Sequence, residues 1–218
     1  MNKIISALTL CLVITGCGDV KEASEKNFEV SIQRYLNASF PICFFSHTFP
    51  ADTNGFSMGN NNEMYEELTK SGLLDKTEEM RKPSGLEHLK HVKPIKINVY
   101  NLSEKGLKVT TSAKSEINGM TYHSFCVGKA KVNEILDFTE PSDMFGKTIS
   151  DVNFTFTTSD VPDWAKTPTL LKLNDGLKKI VEASEKPIKG EAKMVLTNKG
   201  WKHIRQDNLD EKREKMVK

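Results

Sequence analysis

The spacing of apolar residues in the first part of the chain follows the period of a helix. Phe28, Ile32, Leu36 and Phe40 recur every four residues, with charged residues between them. This spacing places the four side chains on one face, which predicts an amphipathic helix that ends before Pro41.

The next part of the chain is polar and rich in residues that favour turns. Residues 48–62 contain Pro50 and several Gly and Asn, which predicts a loop. A second helix is predicted over residues 63–71, with Gly72 as its C-terminal stop.

From Pro94 onward the apolar period shortens to two. Ile95, Ile97 and Val99 alternate with polar residues, which is typical of a strand with one buried face. Further strands are predicted at 107–111, 121–127, 131–138, 149–158 and 192–196.

The connections between these segments favour antiparallel pairing. Residues 140–146 are rich in turn formers and join two predicted strands, which indicates a hairpin with a long loop. A helix is predicted over 175–183. The pattern therefore predicts an α+β fold, with N-terminal helices followed by a mainly antiparallel sheet.

Composition is that of a globular protein. Of the 218 residues, 38% are hydrophobic and 28% are charged. The 31 basic and 29 acidic residues give a net charge of +2, so no basic surface for nucleic acid is predicted.

The N-terminus has the order of an export signal. Lys3 precedes an apolar stretch at 4–14, which is shorter than the roughly 18 residues that a membrane span needs. Ile14-Thr15-Gly16-Cys17 follows, and this run of an aliphatic residue, two small residues and Cys resembles the lipobox of bacterial lipoproteins.

The resemblance implies that Cys17 is joined to lipid after the signal peptide is removed. The protein would then be anchored to a membrane of the bacterial envelope and face the periplasm. Gly18 directly after the Cys favours the outer membrane over the inner one. Two alternatives stay open: Cys17 follows a conventional signal peptide by chance, or residues 1–17 form a buried helix.

This interpretation divides the chain into four parts. They are the signal peptide 1–16, the lipidated Cys and tether 17–27, a single α+β domain 28–205 with a possible subdivision near 112–120, and a charged tail 206–218. Cys11 would leave with the signal peptide, so Cys43 and Cys126 remain as thiols. An even remainder in an exported chain suggests a disulfide, the alternative being two independent buried thiols.

A short motif recurs three times, at 68–73, 102–107 and 196–201: Leu, a hydroxyl residue, two polar residues, Gly and a large apolar residue. Its hydroxyl can cap a helical turn and its Gly can end one. With its neighbouring elements, the segment 64–107 resembles part of a winged-helix domain. The helix there is acidic, so the resemblance implies a scaffold for packing or protein contact rather than DNA reading.

Motifs that carry catalysis are absent from the sequence, and no cofactor or metal site is predicted. Trp164, between turn-forming residues, is either an exposed anchor for a partner or a core residue. Loops carry the carboxylate pairs Asp160 with Asp163 and Glu140 with Asp143.

The expected function is therefore a non-enzymatic interaction or accessory domain that contacts an envelope protein or peptidoglycan. An envelope hydrolase that uses the loop carboxylates, and an accessory protein that shields the surface, are the alternatives.

Overall fold

The computed structural model describes residues 19–53 and 61–210, so the predicted lipidation site at Cys17 lies outside the described residues. The described chain is mixed α+β with antiparallel sheets, as the sequence pattern predicts. Its helices are α1 (Glu25–Ser39), α2 (Asn61–Lys70), α3 (Glu104–Lys108), α4 (Pro168–Leu173), α5 (Asp175–Glu185) and a short 3-10 helix, Asp163–Lys166. Among the described residues, no helix is both long and apolar enough to cross a membrane.

The described strands form three sheets. The strands are β1 (Ile42–His47), β2 (Ala51–Asp52), β3 (Leu74–Arg81), β4 (Ile95–Leu102), β5 (Thr110–Lys114), β6 (Thr121–Val127), β7 (Lys129–Phe138), β8 (Ser142–Met144), β9 (Lys147–Ser159), β10 (Ile188–Thr197) and β11 (Gly200–His203). The first sheet has the order β1-β6-β5 and the second β2-β4-β3. The third, which we call the main sheet, has the order β11-β10-β9-β7, with β8 paired to β9.

The apolar stripe predicted for the first helix is confirmed. Phe28 and Ile32 are fully buried, and Leu36 and Phe40 are nearly so. The helix packs across the main sheet against β7 and β11. The predicted hairpin is also confirmed, because β7 and β9 pair antiparallel and β8 lies in the connection between them.

The strand predicted at 107–111 is wrong in its first half, where the chain forms helix α3. Ser103 caps this helix, since its Oγ accepts a hydrogen bond from the N–H of Gly106 at 2.9 Å. Gly106 also packs directly on the carbonyl of Leu73, a position that a Cβ would occupy. Local capping and close packing therefore outweigh the apolar alternation.

Strand β3 is an element that apolar alternation does not reveal. Leu74 is buried, but every other residue of β3 is exposed, so the strand lacks a buried face. It pairs with β4 along its whole length. Charged side chains also form ion pairs between the two strands, as Lys96 Nζ does with Glu78 Oε2 at 2.7 Å.

The recurring motif adopts three different structures. Its first copy ends α2, where Gly72 takes a φ of 72° and Leu73 N–H bonds to the Leu68 carbonyl. The second copy contains α3, and the third forms the turn between β10 and β11 rather than a helical turn. The winged-helix resemblance stays a prediction.

In the part of the predicted tether (17–27) that the structure describes, residues 19–22 are exposed but hydrogen-bonded to the rest of the domain, and α1 already begins at Glu25. Trp201 Nε1 donates to the carbonyls of Lys21 and Glu22, each at 3.1 Å. Asn27 Nδ2 donates to the Asp19 carbonyl at 2.8 Å. We call residues 19–24 the docked segment.

The main sheet has two ends that differ in what they carry. At one end lie the β8–β9 turn (145–146), the β10–β11 turn (198–199) and the docked segment; we call this the hairpin end. At the other end β7 begins and β9 finishes, with Lys129 paired to Ser159. The 13 residues of β9 span about 40 Å between the two ends.

Candidate functional site

A groove of about 1050 Å³ opens at the end of the main sheet opposite the hairpin end. Three chain segments leave their elements here: Phe40 and Pro41 follow α1, Gly128 joins β6 to β7, and residues 160–162 follow β9. The groove forms because these segments diverge between the first sheet and the main sheet. Its apolar wall is made by Phe40, Pro41, Val109, Val127, Val161 and Pro162.

Gly128 allows the chain to pass from one sheet to the other at the groove. Its φ is 82°, a left-handed conformation that favours glycine. A Cβ at this position would lie 3.4 Å from Ile180 Cγ2 and 3.6 Å from Phe40 Cε1. The Gly128 N–H donates to the Asp160 carbonyl at 3.2 Å, which holds the groove walls together.

The groove carries excess positive charge. Its lining includes Lys108, Lys129 and Lys131, and Asp160 is the one carboxylate among the described lining residues. Lys129 Nζ lies 2.7 Å from Asp160 Oδ2. The hydrogen bond that the Lys129 ammonium donates to this carboxylate raises the pKa of Lys129. One negative charge thus faces three positive ones, which favours an acidic ligand.

Gln33 fixes α1 to the edge strand of the main sheet beside the groove. Its Nε2 donates to the Ala130 carbonyl at 2.9 Å, and its Oε1 accepts from the Val132 N–H at 2.8 Å. The side-chain amide therefore takes the place of a neighbouring strand at this point of β7. Because the edge is covered here, a ligand in the groove would contact side chains rather than extend the sheet.

The sulfurs of Cys43 and Cys126 lie at disulfide-bonding distance. The two residues are directly opposite in the antiparallel pairing of β1 with β6, with Cα atoms 4.0 Å apart. Cys126 lines the groove, and Thr111 Oγ1 lies 3.2 Å from its sulfur. A bond between these two sulfurs would join two strands at one wall of the groove.

Trp164 is a core residue rather than an exposed anchor. It is 8% exposed, and its ring packs against Phe44 and Phe125, with centroids 6.1 Å apart in each case. An aromatic ring with so little free surface offers almost no contact area, so Trp164 has no part in the site that we propose.

The carboxylate pairs seen in the sequence do not gather in the groove. Asp160 belongs to its lining, whereas Asp163 does not and instead lies 3.2 Å from Lys166 Nζ. Asp143 Oδ1 accepts from the Thr148 hydroxyl at 2.7 Å on the β8–β9 hairpin. Within residues 19–53 and 61–210, no group of three or more His, Cys, Asp or Glu is placed to hold a metal ion.

Known proteins offer no relative from which the role of this site could be inferred. No protein family matches the chain, and no curated protein or solved structure matches it either. Sequence reasoning missed the groove because Lys129 and Lys131 look like ordinary exposed positions of a strand. The signal available was Gly128 between two predicted strands, which marks a change of direction.

Proposed function

We propose that this protein is a lipid-anchored, non-enzymatic component of the bacterial envelope, which uses its groove to contact an envelope protein. The observation that carries the proposal is Cys17 directly after Ile14, Thr15 and Gly16, behind an apolar stretch too short to span a membrane. The proposed location faces the periplasm, with the outer membrane favoured by Gly18.

A lipid anchor of this kind is physically sufficient to hold the domain at a membrane. Each buried methylene contributes about 0.8 kcal/mol, and two or more acyl chains give stable attachment where one gives only marginal binding. Confinement to the membrane surface also raises the effective concentration of the domain near its neighbours. A weak contact in the groove would then be enough.

The proposed partner segment is acidic and partly apolar. Lys108, Lys129 and Lys131 surround an apolar wall, so carboxylates on the partner can pair with ammonium groups while its apolar side chains cover Pro41 and Val161. This composition supports a protein segment, since a neutral glycan would offer no carboxylate to Lys108 and Lys131.

Replacing Cys17 with Ser is expected to abolish acylation and release the protein from the membrane fraction. Serine has no thiol to receive the lipid, and the uncleaved leader is too short to replace the anchor. The measurement is incorporation of radiolabelled palmitate together with membrane fractionation. The matched control is Cys11→Ser, which removes a thiol from the leader and should leave both readouts unchanged. Normal labelling of Cys17→Ser would refute the anchor.

A photoreactive residue in place of Lys131 is expected to crosslink to an acidic segment of an envelope protein. The control site is Lys178, which is exposed on α5 and does not line the groove. The adduct at position 131 should fall sharply when Lys108 is changed to Glu, because the charge complementarity is lost. Identical adducts at 131 and 178, or a glycan adduct that resists Lys108→Glu, would contradict the proposed contact.

A further inference from the structure

The tip of the β8–β9 hairpin exposes large apolar side chains. Phe145 is 99% exposed and Met144 is 50% exposed. An aromatic ring that is in full contact with water contributes nothing to the core. Any contact that this ring makes must therefore lie outside the domain.

The backbone at this tip also disfavours a phenylalanine. Phe145 has a φ of 51° and Gly146 a φ of 73°, so both residues of the turn are left-handed. Such two-residue turns favour Gly, which has no Cβ, and Asn or Asp, whose short polar side chains hydrogen-bond locally. Neither packing nor turn geometry explains Phe145, and a strained residue of this kind is a candidate for function.

The tip lies at the same end of the main sheet as the docked segment. Ile149 pairs with Val195. The residues before Ile149 lead to the β8–β9 turn, and the residues after Val195 lead to the β10–β11 turn. At the β10–β11 turn, Gly200 contacts the docked segment, since a Cβ there would lie 2.7 Å from the Val20 carbonyl oxygen.

The docked segment sets how far the tip can be from the lipid. Gly18 alone separates Cys17 from Asp19, so the two Cα atoms are at most about 7 Å apart. Asp19 is itself held by Asn27. A lipid on Cys17 would therefore bring the hairpin end close to the membrane surface, because Asp19 is hydrogen-bonded to the domain.

We propose that Phe145 and Met144 insert into the membrane leaflet that holds the anchor, and that they fix the orientation of the domain. This inference rests on the proposed lipidation of Cys17. Phenylalanine and other large apolar side chains of proteins that lie on a membrane insert about 5–10 Å into the boundary between headgroups and acyl chains. Lys147 and Lys199 are exposed at the same end and can meet anionic headgroups.

In this orientation the groove has a defined position relative to the membrane. The groove lies at the opposite end of the main sheet, about 40 Å along β9 from the hairpin tip. The groove then faces away from the lipid, where a partner in the periplasm can reach it.

A photoreactive benzoyl-phenylalanine at position 145 of the full chain tests the inference in intact cells. We expect phospholipid adducts at 145 and none at the matched position Leu107, which is 55% exposed and precedes the groove residue Lys108. Mass spectrometry of the same sample reports acylation of Cys17. Acylated protein without a lipid adduct at 145 overturns the inference and leaves the anchor standing; unacylated protein overturns both.

A second variant separates a membrane role from a structural one. Phe145→Asn should unfold at an equal or higher denaturant concentration, because Asn is favoured in a left-handed turn. The same variant should lose the lipid adduct measured with the photoreactive residue at position 144. A clear drop in stability, or an unchanged adduct at 144, would overturn the role assigned to Phe145.

Discussion

Removing the crosslink between Cys43 and Cys126 is expected to lower the free energy of unfolding by about 4–5 kcal/mol. The two residues are 83 positions apart, so the crosslink closes a long loop and restricts the unfolded chain strongly. A loss of this size approaches the whole stability of a typical domain, about 5–15 kcal/mol. The pairing of β1 with β6 should persist in the fraction of molecules that stays folded, because Phe44 of β1 is buried in the core.

The measurement is urea unfolding of residues 18–218 with both cysteines changed to Ala, compared with the parent chain. The parent chain in reducing agent serves as the matched control, because it loses the same bond but keeps both cysteine side chains. The double variant should not respond to the reducing agent. Two freely alkylated thiols in the untreated parent would end the prediction, and Cys43 is exposed enough for the reagent to reach it.

Elements with one buried face could be predicted from the sequence. Helices α1 and α5 and strand β9 each have a regular apolar face, and the same face is buried in the structure. In β4 the prediction holds for Ile97 and Val99, whereas Ile95 at the start of the strand is exposed. The pattern is informative there because burial against a sheet or helix selects apolar residues at a fixed period. Strand β3 escaped prediction since its stability depends on pairing with β4 and on cross-strand charges, and neither leaves an apolar period.

The groove could not be predicted, because it depends on where separate chain ends meet. Pro41, Lys108, Gly128 and Asp160 are far apart in sequence and come together only through the packing of α1 and the two sheets. Spacing along the chain carries no information about such distances. The docked segment escaped for a similar reason: its polar residues resemble a linker, and its main partner is Trp201, far along the chain.

Helix α1 relates the two ends of the molecule. Its first turn follows the docked segment, and its last turn leads into the groove wall at Phe40 and Pro41. Its 15 residues span about 22 Å, and they pack on the main sheet throughout. In the orientation that we propose, a change that loosens the docked segment would therefore alter how the groove is held relative to the membrane, although no residue of the groove is changed.

Replacing Trp201 with Ala is expected to lower the free energy of unfolding by about 3–5 kcal/mol. The ring is 3% exposed and packs on Phe28, with centroids 4.9 Å apart. Its truncation leaves a cavity between α1 and β11 and also removes the donor that holds the docked segment. Urea unfolding of the same leaderless chain measures the loss of stability.

Trp201→Phe separates the two contributions. A phenyl ring fills much of the same space but has no N–H, so we expect a smaller loss of about 1 kcal/mol for the missing hydrogen bonds. The carbonyls of Lys21 and Glu22 would turn to water, and hydrogen exchange at the amides of residues 21 and 22 should become faster. In the lipidated protein, Trp201→Phe should also weaken the phospholipid adduct at position 145, because the domain would gain a free linker. Unchanged exchange in Trp201→Phe would show that the docked segment is held by other contacts, and the fixed orientation would then no longer depend on Trp201.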